Sequence, residues 1–323
     1  MLSSSAIVVP VAAGKGGVGK TQIAANLAIA LAQAGNKTVV VDLDLGGSNL
    51  HTHLGLRKRY PGLGYYLRAR TAALDELLVE TSVPGLQFIP GDGRSPFMAN
   101  IAYQQKLRLI RHLRALEADY LALDLSAGAS YNSLDFFAMA PSGLLVTQAE
   151  FPSIMNTLSF LKQSMLRRIR AECAKDYRLR RKFDVMTKRA TGEQGTLQSV
   201  RDELDRLEPG LGARIDALCE RCRPRIVVNM ADAPEDLDVA TQIDRAAAQS
   251  LNLSVDYFGL VFYDRAVKQA IRDGVPLMLQ YPDSLAARCI RQIAERVQRF
   301  WDRPIDASAM RVRERAAEMQ ASA

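Results

Sequence analysis

The sequence predicts a doubly wound α/β fold, a mostly parallel β-sheet covered by helices on both faces, and three observations carry that prediction. Short β-branched or apolar runs recur along the chain, stretches of helical spacing separate them, and a glycine-rich loop joins the first run to the first helical stretch. Runs that are apolar on both faces belong to strands buried on both sides, which is characteristic of parallel sheets.

In chain order, the first run is Ala6 to Val11, after which Ile23, Leu27, Ala30, Leu31 and Ala34 mark one face of a helix. Further strands are predicted at Thr38 to Val41, Leu86 to Ile89, Tyr120 to Leu123 and Leu144 to Thr147. From about 160 to 223 the alternation gives way to a charged, mainly helical insertion, with breaks predicted near Thr191 to Gly195 and at Pro209 to Gly212. Within it Leu161, Met165, Ile169, Cys173 and Tyr177 recur at four-residue spacing with arginines mainly off the stripe, the pattern of an amphipathic helix with a basic outer face. Arg225 to Val228 and Tyr257 to Phe262 complete the strands. Beyond Pro304 the chain is Ala-rich and polar, so residues 305–323 are expected to fray or stay disordered, leaving 1–304 as one domain.

The composition narrows the class. The 323 residues, 48% of them hydrophobic, suffice for one large core, and no apolar run approaches the roughly 20 residues of a membrane span. The start MLSSSAIVVPVAAGKGG has no basic region ahead of its apolar stretch and does not read as a secretory signal. Four scattered cysteines are too few for a disulfide framework, so a cytoplasmic location is expected. The formal charge of +7 is local: residues 165–190 hold ten Lys/Arg against three acids, and the rest of the chain carries 32 of each sign.

Gly14-Lys15-Gly16-Gly17-Val18-Gly19-Lys20-Thr21 follows a strand and opens a helix, the GxxxxGKT phosphate loop in its required context. Glycines let successive N–H groups turn toward phosphate oxygens, and the helix N-terminus adds partial positive charge. Lys20 is placed to reach the β- and γ-phosphates and the Thr21 hydroxyl to ligate Mg²⁺. Lys15 is a second lysine where one suffices for a single nucleotide, so a different role is expected of it. Asp42 and Asp44 follow the second strand and Asp124 ends the fourth; acids at such strand ends hold Mg²⁺ or position the attacking water.

These residues resemble the MinD/ParA family of P-loop ATPases, and within it the MinD/FlhG branch. The likeness runs through KGGVGKT at 15–21, VDLDLGGSNLHTHLG at 41–55, LALDLSAGAS at 121–130, IVVNMAD at 226–232, DYFGLVFYDRAVKQAIRDGVPL at 256–277 and YPDSLAARCIRQIAERV at 281–297. It implies ATP and Mg²⁺ as cofactors and a homodimer in the ATP state, with Lys15 reaching the nucleotide of the partner subunit. By the same resemblance Asp44 activates the hydrolytic water, Asp42 and Asp124 serve Mg²⁺, Asn229 meets the adenine base, and Asp264 with the Gly274 to Pro276 turn lies near base and ribose. Gln22, at the end of the loop, stands where the family usually has a hydroxyl residue, and Ser126 where it usually has proline. The tail lacks the bulky apolar side chains of the family's membrane-binding helix, and the phosphate loop begins too early for the FlhG N-terminal extension.

The function implied is a slow, partner-stimulated ATP hydrolase that acts as a dimerising switch. It would regulate the placement or number of a flagellum, pole or division site through a regulatory protein, at a cytoplasmic, polar or peripheral address. Two alternatives come from other classes. A ParA-like partition ATPase would use residues 165–190 on nonspecific DNA, the same segment that an anionic membrane would contact. An Mrp-like metal-cluster carrier would use the lone Cys219-x-x-Cys222 pair. His51 and His53 lie in the stretch after Asp44 and mark a nucleotide-sensitive loop rather than a metal site.

Overall fold

The computed structural model describes residues 6–57, 60–69, 73–91, 101–190 and 197–322. Its sheet has eight strands: β1 (Ile7–Ala12), β2 (Thr38–Leu43), β3 (Val79–Glu80), β4 (Leu86–Ile89), β5 (Tyr120–Leu125), β6 (Leu144–Thr147), β7 (Arg225–Ala231) and β8 (Asp256–Phe262). They lie in the order β3-β4-β2-β5-β1-β6-β7-β8, parallel throughout except for the β3–β4 pair. Seven strands stand where the apolar runs predict them. The two-residue β3 has no run to announce it.

The order reverses beside β1: β2 lies on the β5 side and β6 on the other, so the first loop opens into the crevice at a topological switch point. β2 and β5 are buried along their whole length, and their register pairs Asp42 with Asp124. Two acids that sit 82 positions apart in sequence thus share one strand end.

The insertion consists of helices Phe151–Glu172, Tyr177–Ala190, Leu197–Leu207 and Leu211–Arg221, with a 3₁₀ turn at Cys173–Lys175. Leu161, Met165, Ile169 and Cys173 are buried as predicted, but Tyr177 is 65% exposed. The stripe breaks because the 3₁₀ turn ends the first helix, and the next one starts a new phase on Leu179, Phe183 and Met186. The predicted break at 191–195 lies outside the described residues; the one at Pro209–Gly212 separates the last two helices, with Gly210 at φ 91°. Much of the basic excess faces the chain itself. Arg167 pairs with Asp135 and Arg170 with Asp184, Lys182 meets Glu203 at 2.7 Å, and Arg168 donates to the carbonyls of Phe137 and Ala140.

The expectation of a frayed tail is corrected. Ser308–Ala321 is a helix packed on β8, with Val312, Ala316 and Met319 buried. Ser308 Oγ accepts the N–H of Tyr257 at 3.0 Å, Arg313 pairs with Asp238 and Glu235, and Gln320 donates to the Asp232 carbonyl. Few bulky side chains are needed because the narrow stripe of Val312, Ala316 and Met319 is supplemented by the polar contacts along the helix.

Candidate functional site

The loop from Ala13 to Gly19 turns sharply between β1 and the helix Lys20–Gln33, and Gly19 sits at φ 83° as that helix's N-cap. A Cβ at Gly19 would collide with the Asn229 side chain, and one at Gly14 with the backbone of Asn156. Asn229, buried at the end of β7, donates from Nδ2 to the Val18 carbonyl at 2.8 Å and so ties the loop to the far half of the sheet. No side chain caps the helix start, which leaves its N–H groups to the loop's concavity.

Lys20 Nζ reaches down to Asp124 Oδ1 at 2.5 Å and lies 3.4 Å from Thr21 Oγ1. Asp124 is fully buried, its other oxygen has no hydrogen-bond partner, and burial raises its pKa despite the opposing pull of Lys20. Beside it, Asp42 accepts the Ser48 hydroxyl at 2.6 Å and the N–H groups of Leu50 and Asp44. Burial, with Asp124 next to it, pushes Asp42 up to about 7. Two buried carboxylates at adjacent strand ends, one with an orphaned oxygen and only one lysine between them, match the hard oxygen donors that Mg²⁺ takes. The residues present therefore fit the ion.

Asp44 stands half-buried at the rim of the cavity, where Ser126 Oγ donates to its Oδ1 at 3.1 Å. The hydroxyl at this position thus does what a proline could not. Lys15 also lines the cavity over the loop, and its Nζ is 3.2 Å from Glu150 Oε2 of the same chain.

A cavity of about 450 Å³ opens over the loop, lined by residues 15–22 together with Asp44, His53, Asn229, Met230 and Asp264. Asp42 and Asp124 lie beneath it rather than in its wall. Burial and the nearby Lys20 lower His53 to about 4, so it is neutral at the rim. Asp264 faces the cavity but is engaged as a helix cap, accepting from Ala266 N–H at 2.8 Å and Ala286 N–H at 3.1 Å. Pro276 is not in the cavity wall; its ring lies against Gly55, at the end of the segment that follows Asp44.

Three residues went unseen in the sequence. Met230 has φ 58° at a bulge of the β7–β8 ladder and lines the cavity 40% exposed, a strained position of the kind that gathers at functional sites. Tyr263 also lines it, with Lys268 over its ring at 5.4 Å, and offers an aromatic surface to a base. Glu150 was findable, since it closely follows a strand on the carboxyl edge where function gathers.

Cys219 and Cys222 are both buried, and burial raises both thiols, Cys219 to about 11. Among the described residues no group of three or more His, Cys, Asp or Glu side chains is placed to hold a metal, and no helix is long and apolar enough to cross a membrane.

Residues 9–277 match the sequence profile of the CobQ/CobB/MinD/ParA nucleotide-binding domain, and the chain belongs to that family. Antiactivator FleN of Pseudomonas aeruginosa is 24% identical over 92% of this chain and 88% of its own length. The flagellum site-determining protein YlxH of Helicobacter pylori is 31% identical over 48% of this chain and 52% of its own. The structure of the septum site-determining protein MinD of Pyrococcus horikoshii, complexed with Mg-ADP, superposes with a TM-score of 0.60 at 18% identity, covering 90% of this chain and 96% of that one. The doubly wound, mostly parallel sheet is therefore the fold shared with that MinD structure.

Proposed function

From that membership, we propose that the chain is an ATP hydrolase that works as a dimerising switch, slow alone and accelerated by a protein partner. It sets the position or number of a cellular structure such as a flagellum, pole or division site. The observation that carries the reading is the convergence of three strand-end carboxylates on a phosphate loop whose second lysine is held by Glu150 rather than by any of them.

The chemistry follows from these groups. Lys20 exchanges Asp124 for the β- and γ-phosphate oxygens, and the gain in charge-assisted bonds draws the nucleotide into the loop. Thr21, Asp42 and Asp124 would hold magnesium, directly or through its waters, and the ion when bound neutralises charge on the phosphate oxygens. Asp44, aimed by Ser126, holds the attacking water at the rim. Lys15 exchanges Glu150 for phosphate across the subunit interface, so nucleotide favours the dimer by replacing a half-exposed ion pair with a desolvated one. Asn229, Met230 and Tyr263 take the base, and Gln22 and Asp264 complete the wall.

Asp44→Ala is expected to bind Mg-ATP, to lose turnover by at least about a hundredfold, and to sediment as a stable dimer, whereas Lys20→Ala should take up no nucleotide in calorimetry. An Asp44→Ala protein that stays a single subunit in saturating Mg-ATP would overturn the switch. For the partition alternative, Arg167, Arg168, Arg170 and Lys182 of residues 165–190 are engaged within the chain while Arg178 stands exposed, so ATP-dependent, salt-sensitive retention on mixed-sequence DNA would favour it. The cluster-carrier alternative would need thiols that are exposed and easily ionised, and Cys219 and Cys222 are neither.

A further inference from the structure

The polar side chains in the wall of the cavity over the phosphate loop differ in how they are satisfied. Lys15, Lys20, Asp44, Asn229 and Asp264 are each held by another group of the chain. The amide nitrogen of Gln22 and the imidazole of His53 belong to the same wall and have no hydrogen-bond partner among the described residues. Gln22 is only 6% exposed, and its Nε2 is sealed from water as well as unpaired. A donor left in that state costs the empty chain free energy, and an acceptor brought in by a ligand removes the cost. His53 is mostly buried and neutral, so one of its ring nitrogens carries a hydrogen to donate and the other does not.

We propose that Gln22 and His53 donate hydrogen bonds to the α-phosphate of the bound nucleotide, the phosphate that ATP and ADP share. The contact lies in the nucleotide site described above and rests on that reading. Lys20 and Thr21 serve the β- and γ-phosphates and the ion, and Asn229, Met230 and Tyr263 take the base, which leaves the α-phosphate and the ribose between them. Gln22 follows Thr21 in the first turn of the helix, and its main-chain N–H is also outside the helix ladder, which begins with the bond from Ile23 N–H to the Gly19 carbonyl. Main-chain N–H groups at this place in a phosphate loop cradle the α- and β-phosphates. The unbranched glutamine side chain turns its amide into the cavity once an acceptor stands there. A phosphate suits the pair better than a ribose hydroxyl, because a hydrogen bond to an ionised oxygen is about twice as strong as one between neutral groups.

A bond to the α-phosphate survives hydrolysis. It holds ADP as firmly as ATP and slows the departure of the product, so the subunits separate with ADP in place and return to the dimer only after nucleotide exchange.

The test is calorimetry on the full chain with Mg-ADP and with the magnesium complex of a nonhydrolysable ATP analogue. Gln22→Met keeps the volume and removes the donor, and should weaken both ligands equally, by about tenfold. His53→Leu should do the same, and His53→Gln, which keeps a donor, should restore part of the loss. Displacement of a fluorescent N-methylanthraniloyl-ADP should show the product leaving Gln22→Met faster by a similar factor. Without nucleotide, the urea midpoint of Gln22→Met should stand at or above that of wild type, because an unpaired buried donor has gone, whereas a glutamine with a purely structural role would lower it on removal. Unchanged ADP affinity in both variants, a loss confined to the triphosphate, or a loss that vanishes with 2′-deoxy-ADP would each overturn the proposal, the last by placing the contact on the ribose. All three outcomes leave nucleotide binding by wild type intact; a wild-type chain that takes up no ADP would overturn the nucleotide reading as well.

Discussion

Asp42 is a carboxyl group whose charge the folded chain resists. Its side chain lies on β2 with no cation in hydrogen-bond reach among the described residues, and three donors offset only part of the cost of burial and of Asp124 beside it, so its pKa moves from 3.8 to about 7. Between those two values the folded state binds a proton that the unfolded state has released, and stability falls as pH rises through the window, by at most about 1.4 kcal/mol per pH unit. Asp42→Asn removes this dependence. Urea midpoints measured without nucleotide or magnesium from pH 5 to 8 should therefore show the gap between variant and wild type moving in the variant's favour as pH rises. A constant gap would mean that Asp42 is ionised throughout.

The acids at the strand ends were legible because a carboxylate that follows a run apolar on both faces stands at the carboxyl edge of a parallel sheet, where ligands bind. Glu150 was findable as a residue just past a strand's carboxyl end, but its pairing with Lys15 was not legible. Pairing with Glu150 depends on β6 lying beside β1, a contact between residues 135 positions apart that no local pattern encodes. The contact of Pro276 with Gly55 was equally unreadable, since it joins residues more than two hundred positions apart in sequence.

At the scale of elements, the last two helices hang on one buried arginine. Arg225 opens β7, forms an ion pair with Asp256 of β8, and donates to the carbonyls of Phe300, Trp301 and Arg303, where the helix Leu285–Phe300 runs out of internal partners. Arg225→Leu leaves those carbonyls without their donor and Asp256 with only Arg223, at a cost of about 3 kcal/mol. Arg225→Leu with Asp256→Leu should recover part of that loss in the same denaturation experiment.

The terminal helix gives a second element-scale prediction. Met319→Asp or Val312→Asp should each destabilise the chain by about 2 kcal/mol or more, since each puts a charge into a buried site. The single tryptophan, Trp301, stacks edge-on against Phe258 of β8, the strand this helix packs on, and reports the unfolding. Unchanged midpoints would mean a tail that is dispensable, as its composition suggests. The composition misled because apolar content was weighed by bulk, while this helix is held by a narrow stripe and by polar contacts along its length.

Over the whole molecule, the alternation of strand and helix fixed the sheet well before any contact was known, because each run had to be buried on both faces. The insertion was readable as helical and basic, but not in its direction. Charge patterning does not reveal that Arg167 and Arg170 turn back to Asp135 and Asp184. The sheet's two margins carry a further consequence. β3 is only two residues long, and on the other side Ser308 occupies an N–H of β8. Among the described residues each margin is thus partly closed, by shortness on one side and by side-chain contacts with β8 on the other, which hinders a foreign strand from zipping on and lowers the hazard of amyloid-like recruitment.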